Sequence, residues 1–239
     1  LKITSDPQQI LKIINTLNEV GGQRYNVNLI KSEFQKPIDY KKGKWSPSKI
    51  FKNKNVLLIA PGKILKEYKD EIKYFIKKDK PIVLALSPKV EFEKKLINYY
   101  LACNPLKMFG ETDLYKKLNA PLILPYSLLQ KDYKKKFLNL NFLDFGVGIS
   151  TNKFIFKDNG AHIPKLYNLA YALAICASGK CKNIYLAGFD GSNYDPSRIK
   201  EIDELFFSYS SSNGSVPACS ITPTPYSLQS KSIFSISYE

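Results

Sequence analysis

Asp190 stands in the run Gly188, Phe189, Asp190, Gly191, directly after the apolar stretch Asn183 to Ala187. A carboxylate at a strand end, flanked by glycines, can accept hydrogen bonds from sugar hydroxyls or take the proton of an acceptor hydroxyl. It can equally cap its own turn. A second glycine turn, Pro61, Gly62, Lys63, follows the apolar stretch Asn55 to Ala60 and leads into a helical pattern. There the missing side chain lets backbone approach a ligand while the next helix offers unpaired N–H groups to a phosphate, or it serves only as a tight strand-to-helix turn. The turn has neither the G-x-G-x-x-G dinucleotide fingerprint nor P-loop spacing. His162, the one histidine, reads as a loop residue before an apolar helix, where its ring could donate to phosphate or carry a proton near neutral pH, or be purely structural. Asp195, before Pro196, is a weaker candidate for the same chemistry, or only caps the next helix. One histidine and no G-x-S-x-G elbow leave little to activate a serine or cysteine nucleophile.

The elements that must hold these residues follow a repeated grammar. Strands are expected at Asn55–Ala60 and Pro81–Leu86, with a helix carrying Ile64, Leu65, Tyr68, Ile72, Phe75 and Ile76 after the first and a helix from Val90 to Tyr100 after the second. Further strands are expected at Ala120–Leu124 and Lys153–Phe156. An alanine-rich helix over Pro164–Ser178, stopped by Gly179, leads to a buried strand at Asn183–Ala187, an amphipathic helix at Arg198–Tyr209, a mobile loop at Ser208–Ser215 and a closing strand within Val216–Ile221. Short apolar strands alternating with helices imply an α/β, Rossmann-like domain whose mostly parallel sheet is covered by helices on both faces. In such a sheet ligands bind beyond the carboxyl ends of the strands, the edge on which both glycine turns fall. Residues 1–50 read as an appendage, with a helix over Asp6–Glu19 and an irregular arm containing Gly21, Gly22, Pro37, Gly43 and Pro47. Residues 51–239 form the ligand-binding domain.

The 239 residues carry 36 Lys and Arg against 21 Asp and Glu, a formal net charge of +15. Nearly all of the positive charge is lysine, since Arg24 and Arg198 are the only arginines. Groove reading and forked phosphate contacts favour arginine, so nucleic acid is not the expected partner. The lysines read as a solvated surface, or as one that attracts sugar nucleotides, acidic glycans or the inner membrane leaflet. No stretch has the roughly 20 apolar residues of a membrane span. Cys103, Cys176, Cys181 and Cys219 show no metal-ligand spacing and read as reduced core thiols of a cytoplasmic chain. No metal and no cofactor are expected.

The segment Lys182–Gly191, behind its Tyr/Ala-rich helix and paired with Leu58–Leu65, resembles bacterial sialyltransferases of glycosyltransferase family 42. It is similar also to the carboxyl-terminal domain that follows an aldolase-like domain in some bacterial polysaccharide-biosynthesis proteins. There Leu186–Gly191, a charged helix such as Arg198–Phe207 and a late segment such as Thr222–Tyr226 recur. The resemblance implies transfer of an acidic 2-keto-3-deoxy sugar, of sialic acid or Kdo type, from a CMP-activated donor to a surface-glycan acceptor of capsule or lipopolysaccharide. By the same resemblance Pro61, Gly62 and Lys63 line the nucleotide pocket with Gly188 and Gly191. Ser87 stands where the family has a ligand-contacting asparagine, and Ala161 to Ile163 meet phosphate. The sialyltransferases take their base from a histidine beyond the glycine turn, and no histidine follows His162 here; they carry an asparagine where Pro61 stands. The proton then falls to Asp190 or His162, or the domain binds nucleotide and sugar without transferring, as an assembly domain of an aldolase-fused protein.

Overall fold

The stretch Asn55–Ile59 is apolar on both of its faces because both are covered: Val56 and Leu58 join one core cluster, Leu57 and Ile59 another, and all four are fully buried. It is the strand around which the domain is built. The computed structural model describes residues 39–236 apart from 105–107, 109, 130, 151–152 and 192–195. The helix expected at Asp6–Glu19, together with Gly21, Gly22, Arg24, Pro37 and Asp195, lies outside the described residues.

In chain order the elements are α1 (Ser48–Phe51), β1 (Asn55–Ile59), α2 (Ile64–Glu67), α3 (Lys69–Asp79), β2 (Ile82–Ala85), β3 (Tyr99–Leu101), α4 (Thr112–Tyr115), β4 (Leu122–Leu124), α5 (Lys131–Phe137) and β5 (Phe142–Asp144). There follow β6 (Gly146–Ile149), β7 (Ile155–Lys157), β8 (Gly160–Ile163), α6 (Asn168–Ser178), β9 (Asn183–Ala187), α7 (Pro196–Ser210), β10 (Ala218–Ser220) and α8 (Ile233–Ile236). Seven strands form one sheet in the order β10-β9-β1-β2-β3-β4-β5, every neighbouring pair parallel. From β1 the chain moves outward to β2 on one side, and it returns through β9 on the other. The strand order therefore reverses between β1 and β9, and the crevice above their carboxyl ends is the topological switch point where such sheets bind ligands.

One face of the sheet is covered by α3, through Ile72, Phe75 and Ile76, and the opposite face by α6 and α7. α6 is buried from Leu169 to Ser178 because a second, three-stranded sheet, β6-β8-β7, packs over its outer side. A helix apolar all round needs such enclosure. Residues 39–47, expected as an irregular arm, are laced to that second sheet and to the end of β5: Lys41 N–H donates to Val147, Gly43 N–H to Asn159 and Trp45 N–H to Asp144. Among the described residues no helix is long and apolar enough to cross a membrane, and all four cysteines are buried with none in a disulfide.

Several local expectations are corrected. Val90–Tyr100 is not a helix but a 3-10 turn at Lys94–Leu96 followed by β3. Asn98 exchanges hydrogen bonds with Val83, its side-chain oxygen accepting at 2.7 Å and its N–H donating at 3.0 Å, which draws Tyr99 and Tyr100 into the sheet. The alanine-rich helix starts at Asn168 rather than Pro164, since Tyr167 is extended. Gly179 does not supply the left-handed residue that ends this helix; Lys180 does, at φ 54°. Gly179 is small because Phe51 lies against it, 2.6 Å from where a Cβ would stand. The loop expected at Ser208–Ser215 continues α7 to Ser210 and then turns under side-chain hydrogen bonds: Ser212 donates to Ser208 and accepts from Phe154 N–H.

Candidate functional site

The two glycine turns meet. Asp190 reaches from the end of β9 to the start of α2, where its Oδ2 accepts the Ile64 N–H at 2.9 Å. This satisfies one of the amide groups that a helix start leaves without a partner. A Cβ on Gly62 would fall 2.2 Å from the Gly188 carbonyl oxygen and 2.3 Å from Asp190 Oδ1. A Cβ on Gly188, whose φ is +79°, would fall 2.3 Å from the Ala60 carbonyl oxygen. The space that these glycines leave is thus filled by the opposite turn of the protein itself, and the two backbones form a closed seam at the switch point. Pro61 and Lys63 are exposed on it, Gly188 is buried beneath it, and Gly62, Asp190 and Gly191 are partly open.

The segment from Thr222 to Tyr226 holds the β9 turn from behind. Gly188 N–H donates to Thr222 Oγ1 at 3.2 Å, and Thr224 Oγ1 donates to the Phe189 carbonyl at 2.6 Å. Gly191, at φ +60°, would place a Cβ 2.8 Å from Pro225 Cγ and 3.8 Å from the Tyr226 hydroxyl. Burial raises the Tyr226 phenol above its ordinary value; the charges of Asp190 and Asp203 add to this and Arg198 opposes it. The Tyr226 ring packs on Phe206 of α7 at a centroid distance of 6.3 Å, so the residue stands between the β9 turn and that helix.

Asn168 fixes the same edge from the α6 side. Its side-chain oxygen accepts the Cys103 and Asn104 N–H groups at 3.0 and 3.3 Å, and its Nδ2 donates to the Leu86 carbonyl at 2.8 Å. The start of α6 is thereby tied to the carboxyl ends of β2 and β3. The sequence does carry a signal for this, a single amide opening an otherwise apolar helix, but its partners are 65 and 82 residues away.

Other expected site residues are placed elsewhere. Ser87 lies at the end of β2 on the switch-point edge, buried, with its hydroxyl accepting the Lys89 N–H at 3.1 Å. Ala161 and Ile163 are fully buried in β8, whose backbone is paired on both sides by β6 and β7. His162 is a strand residue of that second sheet rather than a loop residue. Gly148 lies opposite it, and Tyr40 crosses over Gly148 and stacks on the imidazole at a centroid distance of 5.0 Å. Burial and then the Lys157 charge lower the His162 pKa, against a hydrogen bond with the Ile149 backbone. Asp190 and His162 thus belong to different sheets.

A group not singled out from sequence lies on α7, the helix that follows the β9 turn. Glu201, in α7, takes Lys165 Nζ and the Tyr167 hydroxyl on Oε1 at 2.6 and 2.5 Å, and Arg198 Nη1 on Oε2 at 2.5 Å. Burial by itself would raise the Glu201 carboxyl, but these donors overcome it and hold the group below its ordinary value. Tyr167, half-buried and bonded to Glu201, is pushed up to about 12. Among the described residues no cluster of His, Cys, Asp and Glu could hold a metal ion.

No family model matches the sequence, and no curated protein does. Among solved structures the chain is similar to the MAf glycosyltransferase from Magnetospirillum magneticum AMB-1, with a TM-score of 0.55 and 10% identity. At that identity the likeness is one of fold. The likeness covers 98% of this chain and 48% of that one, so the chain spans about half of that protein's length.

Proposed function

We propose that the domain transfers an acidic 2-keto-3-deoxy sugar from a CMP-activated donor to a glycan acceptor, binding the nucleotide over the seam at Pro61–Lys63 and Gly188–Gly191. The observation that carries this is the seam itself: two glycine turns, far apart in sequence, close on each other at the switch point of a fold similar to that of a glycosyltransferase. Asp190 is the proton acceptor in this reading, with one carboxylate oxygen on Ile64 N–H and the other beside Gly62. A cytidylyl phosphate leaves as a stable anion, so the protein's work is to neutralise that anion and to deprotonate the acceptor hydroxyl, help typically worth roughly 100-fold to 10,000-fold in rate.

A second reading is a domain that binds nucleotide and sugar without transfer, within an aldolase-fused polysaccharide-biosynthesis protein. It is favoured by the use of Asp190 as a helix cap and by the position of His162 in the other sheet. Calorimetric titration with CMP and CDP tests the shared part. Binding in the micromolar to millimolar range is expected, and no heat at millimolar nucleotide would remove both readings.

A further inference from the structure

The Asp190 carboxylate occupies the first amide of α2, so a phosphate placed at that helix start would meet a negative charge. The cation for an anionic ligand must come from elsewhere on the same edge. Lys165 and Arg198 are on it. Lys165 lies just before α6, whose start Asn168 ties to the ends of β2 and β3, and Arg198 lies in the first turn of α7, after the β9 turn. Tyr226 links the two regions: its hydroxyl lies 3.8 Å from where a Gly191 Cβ would stand, and its ring packs on Phe206 of α7 at 6.3 Å.

The pair is built to be held still and yet left open. The guanidinium lies over the Tyr167 ring at 4.3 Å and places one Nη on Glu201. A guanidinium has five N–H donors in a planar fork, so this bond occupies only part of its capacity. Two cations share one carboxylate, leaving an excess of one positive charge. The carboxylate is the covered member of the group: side-chain exposure is 23% for Glu201, 41% for Lys165 and 44% for Arg198.

We propose that Arg198 and Lys165, braced by Glu201 and Tyr167, form an oxyanion subsite beside the Asp190 turn that takes the phosphate or the carboxylate of an acidic nucleotide sugar. The inference rests on the proposed binding of such a donor for the identity of the ligand, but not for the existence of the subsite. The ligand oxyanion adds charge-assisted hydrogen bonds to a fork already oriented, without the ordering cost of a loose lysine.

The test uses the whole chain, isotopically labelled so that the Arg198 Nε–H resonance can be followed, with inorganic phosphate, cytidine, CMP and CMP-sialic acid as probes. Inorganic phosphate is expected to shift that resonance. Arg198→Gln and Lys165→Gln are expected to weaken CMP binding roughly 10-fold to 100-fold while leaving cytidine binding unchanged. Lys200→Gln, which removes the same charge from the same helix, is expected to change binding less than about twofold, since exposed charges are screened. If CMP binding survives Arg198→Gln but CMP-sialic acid binding falls by the same factor, the subsite holds the carboxylate rather than the phosphate. An Arg198 resonance indifferent to phosphate, with nucleotide binding no more affected than in Lys200→Gln, overturns the proposal. Absence of cytidine-nucleotide binding in a protein whose Arg198 still responds to phosphate removes the donor reading and leaves the subsite standing.

Discussion

Replacing Gly62 with alanine puts a methyl carbon 2.2 Å from the Gly188 carbonyl oxygen and 2.3 Å from Asp190 Oδ1, distances that no real contact sustains, so the two turns must part. Gly62 does not lie in the left-handed region, unlike Gly188 at φ +79°, and alanine is conformationally permitted there. By backbone entropy alone Gly62→Ala would therefore stabilise the chain by about 0.4–1 kcal/mol. Against this stand the overpacking, about 1–3 kcal/mol, and the loss of a charged hydrogen bond at Ile64, about 1.5–3 kcal/mol. The net expectation is a loss of about 2–5 kcal/mol, which for a chain of this size lowers Tm by roughly 5–15 °C. Urea unfolding gives the free energy, and hydrogen exchange at the Ile64 amide reports the seam locally. That amide should exchange faster in Gly62→Ala than in wild type. An unfolding midpoint equal to or above that of wild type, with the Ile64 amide still protected, would refute the view that Gly62 is small because the opposite turn fills its space.

Asp190→Asn keeps an oxygen for the Ile64 N–H and should cost less than about 1 kcal/mol in stability, whereas Asp190→Ala loses the cap and should cost about 1–2 kcal/mol. If Asp190 takes the acceptor's proton, both variants lose transfer by roughly 100-fold or more, measured with a CMP-sugar donor; a drop that tracks stability instead of charge marks it as a cap only. Asn168→Ala strips partners from the backbone groups of Leu86, Cys103 and Asn104 and should destabilise by roughly 2–5 kcal/mol in urea unfolding. An effect below about 0.5 kcal/mol, the scale of ordinary surface substitutions, would show that the clamp is dispensable. His162 has a folded pKa below 6.5, its unfolded value, so the unfolded chain takes up the proton first on acidification. Its contribution to stability is present above pH 6.5 and is lost as the pH falls through the folded pKa. Wild type should therefore lose more stability than His162→Gln between neutral and mildly acid pH, and an imidazole titrating above 6.5 by NMR would contradict this.

The sequence was most legible where structure is local. β1 and β9 are runs that prefer extended backbone and are buried on both faces, so composition and length alone marked them, and the glycine turns after them marked the carboxyl-terminal edge of the sheet. The legible part stopped at residues whose role depends on distant partners. Val90–Tyr100 has apolar spacing fit for a helix, yet pairing of Tyr99 and Tyr100 with β2 and β4 prevails. β6 and β8 are short and glycine-bearing, with too few residues to show a period, and His162 consequently reads as a loop residue.

The edge beyond Gly62 and Gly188 could be named from the chain alone, because an apolar run ending in glycine and followed by a helical pattern defines a strand, a turn and a helix without further information. What occupies the space left by those glycines was decided only by the tertiary structure. Asp190 and the amide that it caps are 126 residues apart. Lys165 and Glu201 come together across 36 residues, and Asn168 and Leu86 across 82. Local propensity carries no term for such pairs; they form because parallel strands with helical crossovers bring every strand's carboxyl end to one edge, where groups distant in sequence become neighbours.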